Sequence, residues 1–339
     1  MEKYKILTCA GFGNTGSSVV TDYLAEFDSI DVRAGAEEFR FLHDYGGVSM
    51  LEDCLVKNYH KQNSDGAIQA FLQMVRYQSG TFFARKYEKY FGGEFEKKSI
   101  QFIDELTDAK WNGHLETAIF SISPIWRLLY YQIYPRLIKL MHGWKGYIGK
   151  YYPTTDVYYS SPTEDYFIEC TKRYLAQLFS VLDPHHEKEY LYLDQLLPPT
   201  NIERYFKYFD DIKVIVVDRD PRDVYIETIY YFGDTMYPHS VDQFIKLYRK
   251  QRQFIEEEKE DSRILRIKFE DTIFHYDDFC ERIKAFVGLD ESSHVNPKSK
   301  FNPEKSINNT QLWKKYSIPH VYLEIIENEL SDYCYDYNQ

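Results

Sequence analysis

The chain has 339 residues, enough for one large α/β domain or two smaller ones, and at 44% hydrophobic and 17% aromatic it can bury a sizeable core. A net charge of −12 excludes nucleic acid as the main partner, and no apolar run approaches the length of a membrane span. Five dispersed cysteines with no C-x-x-C pair imply free thiols, and hence a reducing, cytoplasmic compartment.

The first element is Tyr4-Lys5-Ile6-Leu7-Thr8-Cys9-Ala10, short, apolar and β-prone, which reads as a strand. Gly11, Gly13 and Gly16 follow, and then Val19, Val20, Tyr23, Leu24 and Phe27 recur at helical spacing. A strand, glycine loop and helix in that order suit anion binding. Glycines let the backbone approach a ligand, successive N–H groups converge, and Ser17 and Ser18 add hydroxyls in the first turn. Gly11 to Gly16 matches the start of G-x-x-x-x-G-K-[ST], but Ser17 stands at the lysine position. The loop can therefore hold a phosphate or sulfate while lacking the usual phosphoryl-transfer lysine. Taken alone, it is equally an ordinary tight turn.

Ile30-Asp31-Val32-Arg33 reads as a second strand, running into Glu37-Glu38-Phe39-Arg40-Phe41. Residues 48 to 140 read as largely helical, with one apolar stripe from Ala67 to Val75 and another from Ile119 to Ile133, interrupted by Pro124. The stretch 143 to 162 reads as a long loop, followed by a helix over 164 to 182. Tyr190-Leu191-Tyr192-Leu193 is a third strand, ending at Asp194, which suits an N-cap or turn. Ile212 to Val217 is an unbroken apolar run, as expected of a central parallel strand buried on both faces. Ile264 to Ile267 is a fifth strand, leading into a helix that Gly288 caps. From Leu289 to Ser317 the pattern dissolves, and a final helix spans 318 to 331. Strands alternating with helices predict an α/β fold: a central, mostly parallel sheet with a P-loop-like strand–loop–helix and flanking helices. The expected organisation is one domain over 1–339 with a helical insertion at about 48–182.

The most informative stretch is Val216-Val217-Asp218-Arg219-Asp220-Pro221-Arg222-Asp223-Val224. It leaves the apolar fourth strand directly, so Arg219 falls at the carboxyl edge of the sheet, the edge that carries the glycine loop. Pro221 suits the first position of a helix, and Arg222 with Asp223 suits a local ion pair. A guanidinium there can grip a phosphate with a bidentate fork. Two anion sites on one edge imply a ligand with two separated anionic groups.

These residues resemble the sulfotransferases that use 3′-phosphoadenosine-5′-phosphosulfate (PAPS, with PAP as product). The resemblance implies that Gly13, Asn14, Thr15, Gly16, Ser17 and Ser18 hold the 5′-phosphosulfate and that Arg219, in an R-[DN]-P-[KR]-D pattern, holds the 3′-phosphate. Ile267-Lys268-Phe269-Glu270-Asp271 resembles the family's "YEDL" segment, and Gln311 to Tyr316 its late G-x-W-[KR] element, whose preceding loop folds over the nucleotide. Lys305 in that loop is a further nucleotide contact by this reading, and Trp313 either stacks on adenine or anchors the loop. Glu37 to Phe41 is similar to the Lys-Glu-x-x-Phe-Phe segment of carbohydrate sulfotransferases. That similarity puts Glu38 at the catalytic base, with Glu37 and His43 as other candidates, and implies a carbohydrate hydroxyl as acceptor. The helical region and a tyrosine-rich loop near 147 to 160 would form the acceptor side, and the chemistry requires no metal. The chain departs from the pattern where Asn14 replaces a basic residue, a role Arg40 or Lys305 is then left to fill. It departs again where Glu227 replaces a serine, leaving Thr228 to supply the hydroxyl. The other readings are a catalytically degenerate PAP-binding protein and an atypical P-loop kinase.

Overall fold

A computed structural model describes residues 4–32, 37–81, 85–114, 123–143, 154–232 and 236–338. The chain divides into two compact units, one of residues 1–42, 89–92 and 176–339 and the other of 43–88 and 93–175.

The first unit is built on five strands: β1 (Lys5–Gly11), β2 (Ile30–Asp31), β5 (Tyr190–Tyr192), β6 (Ile212–Asp218) and β7 (Ile264–Lys268), in the order β2-β5-β1-β6-β7. Every pairing is parallel. The apolar runs explain why β1 and β6 are central. Ile6, Leu7, Cys9 and Ala10 in β1, and Val214 to Val217 in β6, are all buried, as strands covered on both faces must be. Gly11 pairs with Val217, so the two central strands end level. Helix α1 (Ser18–Leu24) returns Val19, Val20, Tyr23 and Leu24 to a core shared with Ile215, Ile267, Phe279 and Ile283. Parallel strands bring their carboxyl ends to one edge, which gathers Gly11, Asp194, Arg219 and Phe269 there.

The second unit is mainly helical, with its longest wholly internal helices at Lys61–Ser79 and Phe95–Leu106. It also holds an antiparallel pair, β3 (Ala109–Gly113) with β4 (Thr155–Tyr159), which corrects the reading of these stretches as helix and loop. Ser160 ties the pair to the helices through its N–H to Ser64 Oγ (2.7 Å) and its hydroxyl to the Leu106 carbonyl (2.5 Å). The stripe positions Ile119 and Ile122, and residues 147–153 of the tyrosine-rich loop, lie outside the described residues. No described helix is long and apolar enough to cross a membrane. All five cysteines are free thiols.

Two fully buried carboxylates order segments that carry little periodic pattern. Glu26, just after α1, accepts the N–H groups of Lys298, Lys300 and Phe301 at 3.0 Å each and pairs with His294 Nε2 at 2.8 Å. The stretch expected to be structureless is therefore pinned at its start. Glu270, after β7, accepts the Asp220 N–H at 3.0 Å, and burial, with the charge of Asp220 adding, raises its pKa to about 8.

Both carboxylates make measurable predictions. Glu26→Ala strands three backbone donors and should cost on the order of 3 kcal/mol in urea unfolding. For Glu270, the folded carboxyl keeps its proton to about 8, while the ordinary value is 4.5. The native state thus binds the extra proton, and stability falls as pH rises through that window. Urea midpoints measured from pH about 5 to about 8 should decline, and Glu270→Gln should remove about one proton's share of the slope.

Candidate functional site

The glycine loop forms because three of its residues adopt left-handed backbone: Gly13 (φ 88°), Asn14 (φ 56°) and Gly16 (φ 74°). Asparagine is the side chain that best tolerates this region after glycine. Close approach matters at two positions. A Cβ on Gly16 would lie 2.6 Å from the Phe269 ring, and one on Gly11 would lie 2.6 Å from Thr15 Oγ1. Gln195 fixes the loop from outside. Its Oε1 accepts the Gly11 N–H at 3.4 Å and its Nε2 donates to Ser17 Oγ at 3.1 Å. Ser17 therefore bonds sideways to Gln195 and does not cap α1 through its side chain, while Ser18 is exposed.

Arg219 leaves β6 and turns inward. It is 2% exposed, with Nη1 donating to the Asn14 carbonyl (3.0 Å), Nη2 to the Asn309 carbonyl (2.5 Å), and its guanidinium 4.8 Å from the Phe269 ring centre. Its ion-pair partner is Glu227 Oε1 at 2.7 Å. The two anion-binding segments expected from sequence are thus brought into direct contact.

The turn after Arg219 is over-determined. Asp220 caps the Pro221–Glu227 helix by accepting the Arg222 N–H at 2.8 Å, and Pro221 takes the first helical position. Arg222 pairs with Asp220 (Nη2–Oδ2, 2.5 Å) and Glu327 (2.9 Å), not with Asp223, which corrects the local pair expected from sequence. Asp223 instead accepts the N–H groups of Gln311 (3.0 Å) and Leu312 (2.6 Å), holding the late loop to this turn. Burial raises the Asp223 carboxyl to about 7 against the pull of Arg219. Trp313 stacks on Arg222, whose guanidinium is 4.0 Å from its ring centre, so of the two roles expected the structure displays the anchor.

Glu38 forms an isolated parallel bridge with Asp194, Phe39 donating to the Asp194 carbonyl at 2.8 Å. Its half-exposed carboxylate lies 3.5 Å from Arg40 Nη1. No helix begins at Asp194, so it is not an N-cap; its side chain accepts from Tyr192 Oη at 3.1 Å, and Tyr192 meets Thr21 at 2.7 Å. Burial, with the charge of Glu38 adding, raises Asp194 to about 7. Two other residues expected to meet the nucleotide are Thr228 and Lys305. The Thr228 hydroxyl is buried and donates to the Val224 carbonyl at 2.9 Å, so its proton is committed within its own helix. Lys305 is exposed in the short Pro303–Ser306 helix.

At this edge, four of the buried groups without a hydrogen-bond partner among the described residues are both polar ends of the Asn14 amide, Thr15 Oγ1, Arg219 Nε and Glu270 Oε2. Buried polar atoms are normally satisfied. Three of these four sit where the glycine loop meets Arg219, and their chemistry fits a ligand with anionic oxygens.

Residues 131–293 match the sulfotransferase family, a stretch that contains β5, β6, Arg219 and Phe269 and leaves the glycine loop outside. No curated protein matches the chain. Among solved structures, the sulfotransferase domain of the Synechococcus PCC 7002 olefin synthase aligns over 99% of this chain and 97% of its own, at 11% identity and a TM-score of 0.42. The sulfotransferase domain from the curacin biosynthetic pathway aligns over 97% and 98%, at 12% and 0.43. Retinol dehydratase, in complex with androsterone and the inactive cofactor PAP, aligns over 100% and 84%, at 11% and 0.36. The match runs across the β6–Arg219 segment, and over that stretch the chain is similar to the sulfotransferase family.

Proposed function

We propose that the chain transfers a sulfuryl group from PAPS to a hydroxyl of a carbohydrate acceptor. The observation that carries this reading is the contact between Arg219 and the glycine loop, Nη1 to the Asn14 carbonyl at 3.0 Å, with unpaired buried donors on both sides of it. When bound, PAPS supplies an activated sulfuryl group, whose bond to the phosphate oxygen breaks as the bond to the acceptor oxygen forms.

The chain's own residues have four tasks. Arg219 holds the 3′-phosphate end. Gly13 to Ser18 hold the 5′ end through backbone N–H groups, the Asn14 amide and the Thr15 hydroxyl, in the way preorganised donors stabilise charge on transferring and leaving oxygens. Glu38 takes the acceptor's proton, and its half-exposed position beside Asp194 suits a group that must reach an incoming hydroxyl. Arg40, 3.5 Å from Glu38, and exposed Lys305 are the cations left to offset the neutral Asn14. The carbohydrate acceptor rests on the Glu37 to Phe41 segment alone. A second reading, a PAP-binding protein without transfer, is favoured by the same neutral Asn14 and by Glu227 on Arg219.

Calorimetric titration with PAP tests the donor, and transfer of labelled sulfate to a saccharide panel tests the reaction. Arg219→Ala should weaken PAP by about 100-fold, the scale of a charge-assisted contact. Glu38→Gln should keep PAP affinity and lower kcat by about 100-fold or more. Absence of PAP binding, or binding of ATP that requires Mg²⁺, would sink the donor assignment. Tight PAP binding without transfer to any hydroxyl would select the non-catalytic reading.

A further inference from the structure

The Arg219 guanidinium is almost fully withdrawn from water, so its charge must be answered locally. Three carboxyls surround it: Glu227, Asp223 and Glu270. Two of them are poorly suited to the task. Burial raises Asp223 to about 7 and Glu270 to about 8, and both accept backbone N–H groups from elsewhere. Glu227 alone makes a direct ion pair with Arg219, at 2.7 Å, and its side chain keeps 18% exposure, so it touches solvent on one side.

The position of Glu227 in the fold gives it somewhere to go. It is the last residue of the Pro221–Glu227 helix, and the helix widens immediately afterwards into a π turn over Thr228–Phe232. Such turns recur at functional sites. The other acceptors on Arg219 are main-chain carbonyls, Asn14 and Asn309, from two separate segments. If Glu227 swings out, the guanidinium stays anchored by both and presents Nη1 to a new anion. A phosphate and the Glu227 carboxylate cannot share that fork, because like charges a few ångströms apart in a water-poor site repel strongly.

We propose that Glu227 is a resident anion at the nucleotide's 3′-phosphate subsite, which the donor must expel to bind, and that it sets how strongly the chain discriminates 3′-phosphorylated from 3′-hydroxyl nucleotides. This rests on the donor assignment proposed above. Glu227 lowers the advantage of the 3′-phosphate, because part of the phosphate's attraction to Arg219 replaces an attraction already present. Nucleotides with a 3′-hydroxyl gain nothing from its departure.

The test is titration of the full chain with PAP and with AMP, which lacks the 3′-phosphate, in wild type, Glu227→Gln and Glu227→Ser. Glutamine keeps an acceptor oxygen for Arg219, so at least one variant retains the fold, checked by thermal unfolding. Both variants should bind PAP about tenfold or more tightly than wild type and AMP within about twofold. Unchanged or weakened PAP affinity in a folded variant overturns the proposal while leaving the donor assignment intact. Equal tightening of PAP and AMP also overturns it, as a general charge effect. Failure of all three proteins to bind PAP removes the donor assignment and the proposal together.

Discussion

A guanidinium with almost no exposure has to be met by acceptors, and the sheet edge is arranged around that requirement. Arg219 draws the glycine loop, the end of the Pro221–Glu227 helix and the late loop at Asn309 to one cation. Leaving such a charge unanswered would cost several kcal/mol, which is why the chain supplies an acceptor from each. Phe269 completes the arrangement from below. Its ring packs against the guanidinium on one side and requires glycine at position 16 on the other. The loop's shape and the arginine's position therefore depend on one aromatic side chain at the end of β7.

A second buried arginine repeats the logic one residue earlier. Arg252, 1% exposed, pairs with Asp218 (Nη2–Oδ1, 2.5 Å) and lies between Phe12 and Tyr248, 4.3 and 3.3 Å from their ring centres. Tyr248 also donates to the Arg219 carbonyl at 2.6 Å. Alternating acids and arginines along Asp218 to Asp223 thus serve mostly to bond one another and the surrounding backbone. Among the described residues of this stretch, Arg219 is the one whose side chain hydrogen-bonds to the glycine loop. The sequence pattern singles out five charged residues and a proline, and geometry separates Arg219, which reaches the glycine loop, from those that brace the turn.

What could be read from the sequence was whatever depends on near neighbours. The strands of the first unit, the glycine loop, the proline at the helix start and the glycine after Val287 all rest on local periodicity or backbone preference, and the structure has each. Contacts across long sequence separations were not readable. Glu26 gave no signal of its hold on residues 298–301, nor Asp223 of its hold on Gln311 and Leu312, so the late loop looked patternless. Gln195 and Phe269 belong to the same class, since a glutamine after a strand and a phenylalanine in a known-looking segment say nothing of which loop they touch. The β3–β4 pair is not legible because its partners are separated by intervening helices, and β3 reads AKWNG, a short, mostly exposed stretch without β-branched residues.

The carboxyl edge of the sheet is rich in acids: Asp194, Asp218, Asp220, Asp223, Glu227 and Glu270 lie within a few residues of the strand ends. They do not act as one negative field. Asp218 and Asp220 are neutralised by bidentate arginines, and burial favours the protonated forms of Asp223, Glu270 and Asp194. Neutralising buried acids by proton or by arginine leaves their hydrogen bonds intact while removing their charge from the site. Two carboxylates stand apart from this pattern. Glu38 is half exposed beside Arg40, and Glu227 keeps solvent contact beside Arg219. Each is the acid at its end of the edge that solvent reaches, which is what taking up a proton at one end and yielding to an incoming anion at the other would each require.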